Sequence, residues 1–534
     1  MPQDQFDGDY LIIGSGFGGS VSALRLAEKG WKVIVAEQGK RIGSAEINAG
    51  KRRLSNLIWS PLLGWKGFFQ QRVFRHLAVV SGVGVGGGSI VWAGVMLRPK
   101  AKFYRDESLA ALGLNLEQEL APHLDRAEIM LGVDQNPRQS LQDTALQKTA
   151  GEMGREVSYG PVPNAIFFPP AGSSSTIVTP DGVSDPYFNG AGPARAPCCF
   201  CAGCTTGCPY NSKNALYLNY LHLAEGLGVD VRPDCKADRI EPQKNGGYRV
   251  TLIDPVTGIY KESLLVKNVV VSAGVVGSLE LLFRNREIHK TLSEISNTLG
   301  KVVRTNSEAI TAVLHPKGAD VSDGTTISSD FHPDDHTHVT QNRFDRGSRF
   351  MRFYMGPLVD GARPFTRALK TMAAVIRSPR LLFENIFTKE WEKRVTFFTV
   401  MQDLDNHIQL NFKRSWWLGG RRLVSNVNPG HEAPSYLPVA NEVTRRYANI
   451  VGGQPMNILS ESLANISTTA HILGGCPMGV CSETGVIDGR HGVHGYDGLY
   501  VVDGASIPAN IGVNPSLTIA AMAERFAELQ PGRE

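Results

Sequence analysis

The chain has 534 residues, of which 42% are hydrophobic and 20% charged, and its 55 Lys and Arg residues nearly balance its 51 Asp and Glu residues. This near balance excludes the strong positive field of a nucleic-acid-binding protein, so we expect no nucleic-acid partner. The length exceeds what one hydrophobic core supports, and it predicts about two to four domains.

The first residues, MPQDQFDGDY, carry neither the basic region nor the apolar region of a secretion signal. The sequence also has no run of about 18 apolar residues, which a membrane-spanning helix requires. We therefore expect a cytoplasmic protein, or one that associates peripherally with a membrane.

The segment 9–39 has the pattern of a buried strand, a glycine turn, a helix and a second strand. Gly14, Gly16 and Gly19 form G-x-G-x-x-G, and Glu37 ends the second strand. This order predicts a dinucleotide site in which Gly16 lets the pyrophosphate approach and Glu37 accepts hydrogen bonds from the ribose hydroxyls. The alternative is a tight turn of the same shape that binds nothing.

A second glycine run, SGVGVGGGSIVWAG, occupies residues 81–94. Glycines at this density favour a backbone that lies directly against a flat ligand. A glycine-rich structural bend is the alternative.

Five of the eight cysteines crowd into the stretch CCFCAGCTTGCP. Four of them follow the ferredoxin spacing C-x2-C-x2-C-x3-C-P, namely Cys198, Cys201, Cys204 and Cys208. This spacing predicts an iron–sulfur cluster or another thiolate-bound metal. In two-cluster ferredoxins the fourth cysteine serves the other cluster, so a single cluster here could recruit Cys235 or Cys476. The alternative is that reduced cysteines pack a glycine-rich turn.

From about residue 306 to residue 465 the pattern changes to alternating strand-like segments, such as residues 394–412. Two segments, 59–76 and 363–387, combine basic residues with aromatic or aliphatic ones. Segments of this kind lie at membrane interfaces, and they predict peripheral membrane contact. The alternative is ordinary helices packed on the domain.

Four motifs in order resemble the glucose-methanol-choline (GMC) oxidoreductase family, and within it the bacterial cholesterol oxidase-like branch. They are GSGFGGS at 14–20, GVGVGGGS at 82–89, HILGGCPMG at 471–479, and VVDGASIP with GVNPSLTIAAMAER at 501–525. The motifs extend over nearly the whole chain, and they are specific as a set.

The resemblance implies an α/β fold with a Rossmann-type FAD-binding domain, assembled from discontinuous segments, and a substrate domain built on an antiparallel sheet. We expect residues 1–105, 196–305 and 466–534 to form the FAD-binding domain. Residues 106–195 and 306–465 are expected to form the substrate-binding domain.

The resemblance also implies the residues of the site. Oxidation of an alcohol by hydride loss requires a base for the hydroxyl proton, and His471 matches the family's catalytic histidine. Asn514 matches the second active-site residue, although an asparagine before a proline also suits a helix cap. The expected flavin contacts are Gly86, Gly87, Gly88, Ser89, Asp503 and Gly504.

Two positions depart from the family pattern. Trp92 stands where the cholesterol oxidases often have an asparagine, which puts the flavin contacts there in doubt. Thr340 stands where those enzymes have a glutamate that isomerises the steroid double bond. Since threonine cannot serve as that base, we expect no isomerase activity.

The function expected from these features is FAD-dependent oxidation of a lipophilic alcohol to a ketone or aldehyde, by hydride transfer to flavin with His471 as the base. The electron acceptor is oxygen, a quinone or a redox protein. One alternative is a flavin-dependent lyase or decarboxylase of the same superfamily, which would not need the histidine. Another is an electron-transfer protein organised around the cysteines.

Overall fold

A computed structural model describes residues 6–169, 184–414 and 420–533 of the chain. Within these ranges the α-helices are α1 (Phe17–Glu28), α2 (Ser44–Arg52), α3 (Leu54–Leu57), α4 (Ala101–Tyr104), α5 (Glu107–Ala111), α6 (Leu116–Met130), α7 (Leu141–Glu152), α8 (Tyr220–Gly226), α9 (Gly274–Glu287), α10 (Pro364–Arg377), α11 (Pro379–Phe387), α12 (Pro438–Val451), α13 (Leu459–Ala464) and α14 (Ser516–Leu529).

The strands in the same ranges are β1 (Gly8–Ile13), β2 (Val33–Ala36), β3 (Trp59–Ser60), β4 (Trp65–Lys66), β5 (Phe69–Val73), β6 (Leu77–Gly82), β7 (Asp134–Gln135), β8 (Gly160–Pro161), β9 (Pro163–Asn164), β10 (Asp230–Arg232), β11 (Lys236–Pro242), β12 (Tyr248–Ile253), β13 (Tyr260–Val271), β14 (Val303–Arg304), β15 (Ala309–Leu314), β16 (Ser329–Phe331), β17 (Thr337–Asn342), β18 (Met355–Pro357), β19 (Val395–Gln402), β20 (His407–Arg414), β21 (Arg421–Val427), β22 (Gln454–Ile458), β23 (Ser467–Thr469), β24 (Leu473–Gly474) and β25 (Leu499–Val501).

The first sheet has a parallel core in which β1 lies between β2 and β13. Strand β10 extends this core beyond β2, and β25 pairs in parallel with β13. Every residue of β1 is buried, as expected for a strand covered on both faces. Strands β11 and β12 add an antiparallel extension along β13. Strands from three separate parts of the chain therefore build one Rossmann-type sheet.

Four helices from different parts of the chain, α1, α6, α8 and α14, pack together on this sheet. Helix α1 contacts α8 and α14, and α14 also contacts α6. Their buried side chains join those of the parallel strands in one hydrophobic core. The carboxyl-terminal helix is thereby held against the amino-terminal strand-turn-helix unit.

A second seven-stranded sheet has the order β18-β22-β15-β19-β17-β16-β8, and all its pairings are antiparallel. Helices α7 and α12 pack on it, and their buried residues form a separate core with those of β15, β17 and β19. The expected α/β fold with an antiparallel second sheet is confirmed.

The basic amphipathic segment forms the helix pair α10 and α11. Arg367 of α10 is buried and donates hydrogen bonds to the carbonyl oxygens of Gly361 and Glu461. It therefore anchors the helix and does not contribute to its surface charge. Among the described residues, no helix has both the length and the apolar character needed to cross a lipid bilayer.

Candidate active site

The first glycine turn joins β1 to α1 through close backbone contacts. Gly14 has a φ of +100°, and a Cβ there would lie 2.3 Å from the carbonyl oxygen of Ser272. A Cβ at Gly19 would lie 2.0 Å from the carbonyl oxygen of Gly14, so glycine lets the helix pack on the turn. No atom lies within 4 Å of the Cβ position of Gly16, which lines an open cavity.

The second glycine run lies directly on the first. A Cβ at Gly87 would lie 2.7 Å from the Cα of Gly16, so the two backbones touch. Gly87 and Gly88 line the cavity, and the Cβ position of Gly88 is open. Gly86 and Ser89 are not among the lining residues. The buried Ser89 hydroxyl donates to the Gly86 carbonyl at 2.6 Å and so stabilises the turn behind the cavity wall.

Glu37 lies at the end of β2 and lines the same cavity. Its Oε2 accepts hydrogen bonds from the Ser15 hydroxyl at 2.7 Å and the Ser15 amide at 3.1 Å, while Oε1 accepts from the Gly39 amide at 2.8 Å. Burial raises the pKa of this carboxyl. The amides and the hydroxyl hold the side chain at the sheet edge where the first glycine turn begins.

One cavity of about 490 Å³ connects Glu37 with the carboxyl-terminal motifs. It runs past both glycine turns and reaches the antiparallel sheet. The lining residues contributed by that sheet and the adjoining segments include Ile310, Thr340, Asn342, Phe344, Met351, Phe397 and Thr399.

His471 and Asn514 meet in this cavity. The Asn514 Nδ2 lies 3.0 Å from the His471 Nε2, and both residues line the cavity. On the other side of the ring, the His471 Nδ1 is hydrogen-bonded to a carboxylate oxygen of Glu308. A carboxylate only accepts, so Nδ1 carries the proton and the lone pair of Nε2 points toward Asn514 and the cavity.

Glu308 is the functional residue that sequence reasoning missed. It immediately precedes β15, is 1% exposed, and lies 163 positions from His471 in the chain. Its second oxygen accepts the Ala470 amide at 2.9 Å, which ties the carboxylate to the histidine loop. A single acid before a strand has no local signature, and only the family position of His471 offered a place to look for a partner.

Asp503 and Gly504 also line the cavity, just after β25. The Asp503 carboxylate accepts the Ser278 hydroxyl at 2.5 Å and the Ala505 amide at 2.7 Å. Burial raises the pKa of Asp503 to about 6.

The two positions that depart from the family pattern both face the cavity. Trp92 packs edge-on against Phe17, with ring centroids 5.0 Å apart, and its buried Nε1 has no hydrogen-bond partner among the described residues. Thr340 is fully buried and lines the cavity from β17. The cavity nevertheless contains one carboxylate near the histidine, that of Glu308.

The clustered cysteines line a second, smaller cavity together with Tyr210 and Lys213. Cys235 instead lines the main cavity, and its sulfur lies 3.7 Å from the Lys261 Nζ. Cys476 is fully buried, and its burial, together with the charge of the nearby Asp503, raises the pKa of its thiol. The expectation that Cys235 or Cys476 completes a cluster is therefore wrong, because the fold places both outside the cysteine loop.

The main cavity fits FAD on two observations. The Cβ positions of Gly16 and Gly88 are open where a flat cofactor needs direct access to the backbone. Two cavity-lining residues, Trp92 and Asn514, each have a buried polar atom, Nε1 and Oδ1, without a partner in the described chain, and such atoms are commonly satisfied by a bound molecule. A Rossmann-type sheet, paired glycine turns and a His–Asn pair define an FAD-dependent oxidoreductase.

Comparison with known proteins places the chain in a family. A model of the FAD-binding domain matches residues 9–50, and a model described as GMC oxidoreductase matches residues 368–523. A cholesterol oxidase of Acinetobacter baumannii is 38% identical over 100% of this chain and 96% of its own length. A cholesterol oxidase of Mycobacterium tuberculosis is 39% identical over 99% of this chain and 92% of its own length.

The chain therefore belongs to the GMC oxidoreductase family, in its cholesterol oxidase-like branch, and it is an FAD-dependent alcohol oxidoreductase. Among solved structures, pyridoxine 4-oxidase from Mesorbium loti has the same fold, with a TM-score of 0.61 at 13% identity over 98% of this chain and 99% of that one. The predicted family, enzyme class and FAD cofactor are confirmed.

The two neighbouring glycines Gly16 and Gly18 allow a matched test of the cofactor site. Replacing Gly16 with Ala places a methyl group in the open cavity, so the apoprotein should keep its melting temperature. FAD affinity should fall by about tenfold or more, since each charge-assisted hydrogen bond lost from the pyrophosphate is worth about 1.5–3 kcal/mol. Thermal unfolding of the apoprotein and titration with FAD would measure the two effects.

Replacing Gly18 with Ala is the control, because its Cβ would lie 1.7 Å from the carbonyl oxygen of Val502. This variant should lose melting temperature in the apo state, as overpacked positions cost about 1–3 kcal/mol. Unchanged FAD affinity in the folded Gly16 variant would contradict the assigned role of Gly16.

Proposed function

We propose that the protein oxidises a lipophilic alcohol to a ketone or aldehyde, with His471 as the base. The observation that carries the proposal is the His471–Asn514 pair in the same cavity that Glu37 and both glycine turns line. Glu308 keeps the proton on Nδ1, so Nε2 is available to accept a proton.

The protein's own residues handle the hydroxyl group. Bound FAD supplies the acceptor for the hydride that leaves the alcohol carbon. The His471 Nε2 takes the hydroxyl proton as the C–H bond breaks, and the imidazolium that forms is stabilised by the adjacent Glu308 carboxylate. Asn514 orients the substrate oxygen through its amide Nδ2, the donor that lies 3.0 Å from the His471 Nε2.

The lipophilic substrate is supported by the wall contributed by the antiparallel sheet. Ile310, Phe344, Met351 and Phe397 line the cavity near the histidine end. Apolar and aromatic walls with few polar groups are typical of sites for lipophilic ligands. The relatives named cholesterol oxidase favour a sterol-like alcohol as substrate and oxygen as acceptor. A quinone or redox protein is the alternative acceptor.

The same proposal assigns the residues that contact FAD and the bounds of the two domains. Gly14, Gly16 and Glu37 contact the nucleotide half of the cofactor, while Gly87, Gly88, Asp503 and Gly504 contact the flavin half. Gly19, Gly86 and Ser89 shape the backbone around them. The FAD-binding domain comprises 1–105, 196–305 and 466–534, and the substrate domain comprises 106–195 and 306–465, with α6 packed against α14 of the former.

The two alternative functions are not favoured. A flavin-dependent lyase would need neither His471 nor Asn514 at hydrogen-bonding distance. An electron-transfer module would need no separate sheet with its own substrate cavity. Absence of isomerase activity stays a prediction, because the Thr340 hydroxyl cannot act as the base and the Glu308 carboxylate is engaged by His471 and Ala470.

Peripheral membrane contact is proposed for helices α10 and α11. Their exposed apolar side chains are Phe365, Leu369, Met372, Ile376, Phe383 and Phe387, and Lys370, Arg377 and Arg380 are exposed beside them. Helix α11 also contacts the short segment 350–354, which includes the cavity residue Met351. The other aromatic segment contributes less, because Trp59 and Phe68 lie in the core.

Replacing His471 with Ala should leave FAD bound and slow flavin reduction by about 100-fold or more, as expected for loss of a general base. Anaerobic stopped-flow absorbance with a panel of sterol, terpenoid and long-chain alcohols would measure the rate. The exposed His431 lies outside the cavity, and its alanine variant is the control. Near-normal reduction in the His471 variant would remove this residue from the mechanism.

Replacing Glu308 with Gln keeps an acceptor for Nδ1 but removes the charge. A hydrogen bond to a charged group is stronger than a neutral one by about 1–1.5 kcal/mol, so flavin reduction should slow by about tenfold. The dissociation constant of the alcohol, taken from the concentration dependence of the rate, should stay unchanged. A weaker alcohol complex with an unchanged limiting rate would contradict the role in stabilising the imidazolium.

Membrane contact can be tested by co-sedimentation with vesicles that contain anionic lipid, at low salt. Replacing both Ile376 and Phe383 with Ser should weaken binding by at least about tenfold, since each buried apolar side chain is worth about 1.5–3 kcal/mol. Ile129, which is 75% exposed on another helix, provides the matched control. Absence of wild-type binding, or equal loss in the Ile129→Ser control, would refute the contact.

A further inference from the structure

The cysteine loop brings its thiols to one place. Cys198, Cys199, Cys201, Cys204 and Cys208 all line the same small cavity, and none of them forms a disulfide. The alcohol-oxidising site uses none of these cysteines.

Backbone groups donate hydrogen bonds to three of these sulfurs. The Phe200 amide lies 3.4 Å from the Cys198 sulfur. The backbones of Gly203 and Thr326 bond to the thiols of Cys201 and Cys204. Hydrogen bonds to sulfur are one of the means by which proteins tune iron–sulfur clusters.

The loop maintains this arrangement at a conformational cost. Phe200 has a φ of +55° and Ala202 a φ of +58°, so two non-glycine residues adopt the left-handed conformation between the cysteines. Each such residue costs of order 1 kcal/mol or more, and strain of this kind concentrates at functional sites.

The charges around the loop also indicate an anionic occupant. Lys213 is 2% exposed and donates to the carbonyl oxygens of Ile90, Trp92 and Cys204, and it has no carboxylate partner in the described part of the chain. Lys51 lies close enough to Cys201 and Cys208, and Arg195 to Cys208, for their positive charges to act on these sulfurs. Among these three cations of the described chain, Lys51 forms an ion pair, with Asp345 at 2.7 Å, and Asp185 lies near Arg195. A buried cation needs a counter-charge, and metal-bound thiolates facing the same cavity would supply it.

We propose that Cys198, Cys201, Cys204 and Cys208 hold an iron–sulfur cluster. All four face one cavity, so no second cluster and no distant cysteine is needed. A single zinc ion would bind each sulfur at about 2.3 Å and bring the sulfurs within about 4 Å of one another. No three cysteine sulfurs of the described residues lie within 4.8 Å of one another, so the sulfurs are farther apart than a single bound zinc ion would hold them.

The cluster site adjoins the cofactor cavity. Thr205 and Thr206, which follow Cys204 directly, line the main cavity. Lys213 links the Cys204 carbonyl to Ile90 and Trp92, at the end of the second glycine run. Oxidation of one alcohol releases two electrons and two protons. A cluster held by these cysteines would transfer one electron at a time, so two transfers would be needed per turnover, and the two protons would leave to solvent. It would favour the alternative acceptor of the proposed function, a quinone or redox protein, over oxygen.

The test is the metal content of the full-length protein, purified without oxygen and reconstituted with ferrous iron and sulfide. We expect iron and acid-labile sulfide in equal amounts, and an electron paramagnetic resonance signal after reduction with dithionite. These readouts do not depend on alcohol oxidation, so their failure is distinguishable from failure of the proposed function. Full FAD occupancy without iron, or zinc in place of iron, would overturn the cluster.

Replacing Cys208, which is only partly buried, with Ser tests the assignment of the ligands. This variant should lose iron, sulfide and the resonance signal and keep its FAD. Cys481→Ser is the matched control, because Cys481 is partly buried and lies outside the loop, and it should keep all three. Retention of the full signal in the Cys208 variant, or equal loss in both variants, would refute the site.

Discussion

The structure depends on backbone-to-backbone contact between glycine turns from distant parts of the chain. Gly87 of the second run touches Gly16 of the first, and Gly18 lies so close to the Val502 carbonyl that a Cβ there would be 1.7 Å from its oxygen. Side chains at these positions would separate the segments by several ångströms. Because they are absent, the amino-terminal turn, the second glycine run and the strand before Asp503 converge on one cavity, and the cofactor can lie against backbone instead of side chains.

This convergence determines where chemistry can occur. The parallel sheet presents Glu37 and the glycine turns at one edge, and the antiparallel sheet contributes the wall of the opposite end. His471 lies at the junction, between β23 and β24, with Asn514 on one side and Glu308 on the other. Each of the three comes from a different segment, so the tautomer of the histidine is set by the packing of the two sheets. The junction holds the imidazole in one orientation, which the proposed role of His471 as the base requires.

The cysteine loop and the helix pair α10–α11 both lie next to residues that line the main cavity. The loop lies behind the second glycine run and is tied to it by the buried Lys213. The helices α10 and α11 are anchored by Arg367 and by the Asn385 side chain, which donates to the Arg352 carbonyl at 2.6 Å. Residues next to each feature line the cavity: Thr205 and Thr206 beside the cysteine loop, and Met351 in the segment that α11 contacts.

The family, the cofactor and several local elements could be predicted from the amino-acid sequence alone. G-x-G-x-x-G between a buried strand and a helix, the second glycine run, and the motifs at His471 and Asp503 are local patterns, and local burial and turn geometry leave local signatures. Strand β1, helix α1 and helix α14 were predictable for that reason, and the cysteine spacing is a local pattern of the same kind. Three other features required the folded chain: Glu308 lies beside His471, Arg367 and Trp59 are buried, and Cys235 and Cys476 lie apart from the cysteine loop. These features rest on the relative positions of segments tens to hundreds of residues apart, and they depend on strand order and sheet packing, which no short stretch of sequence encodes.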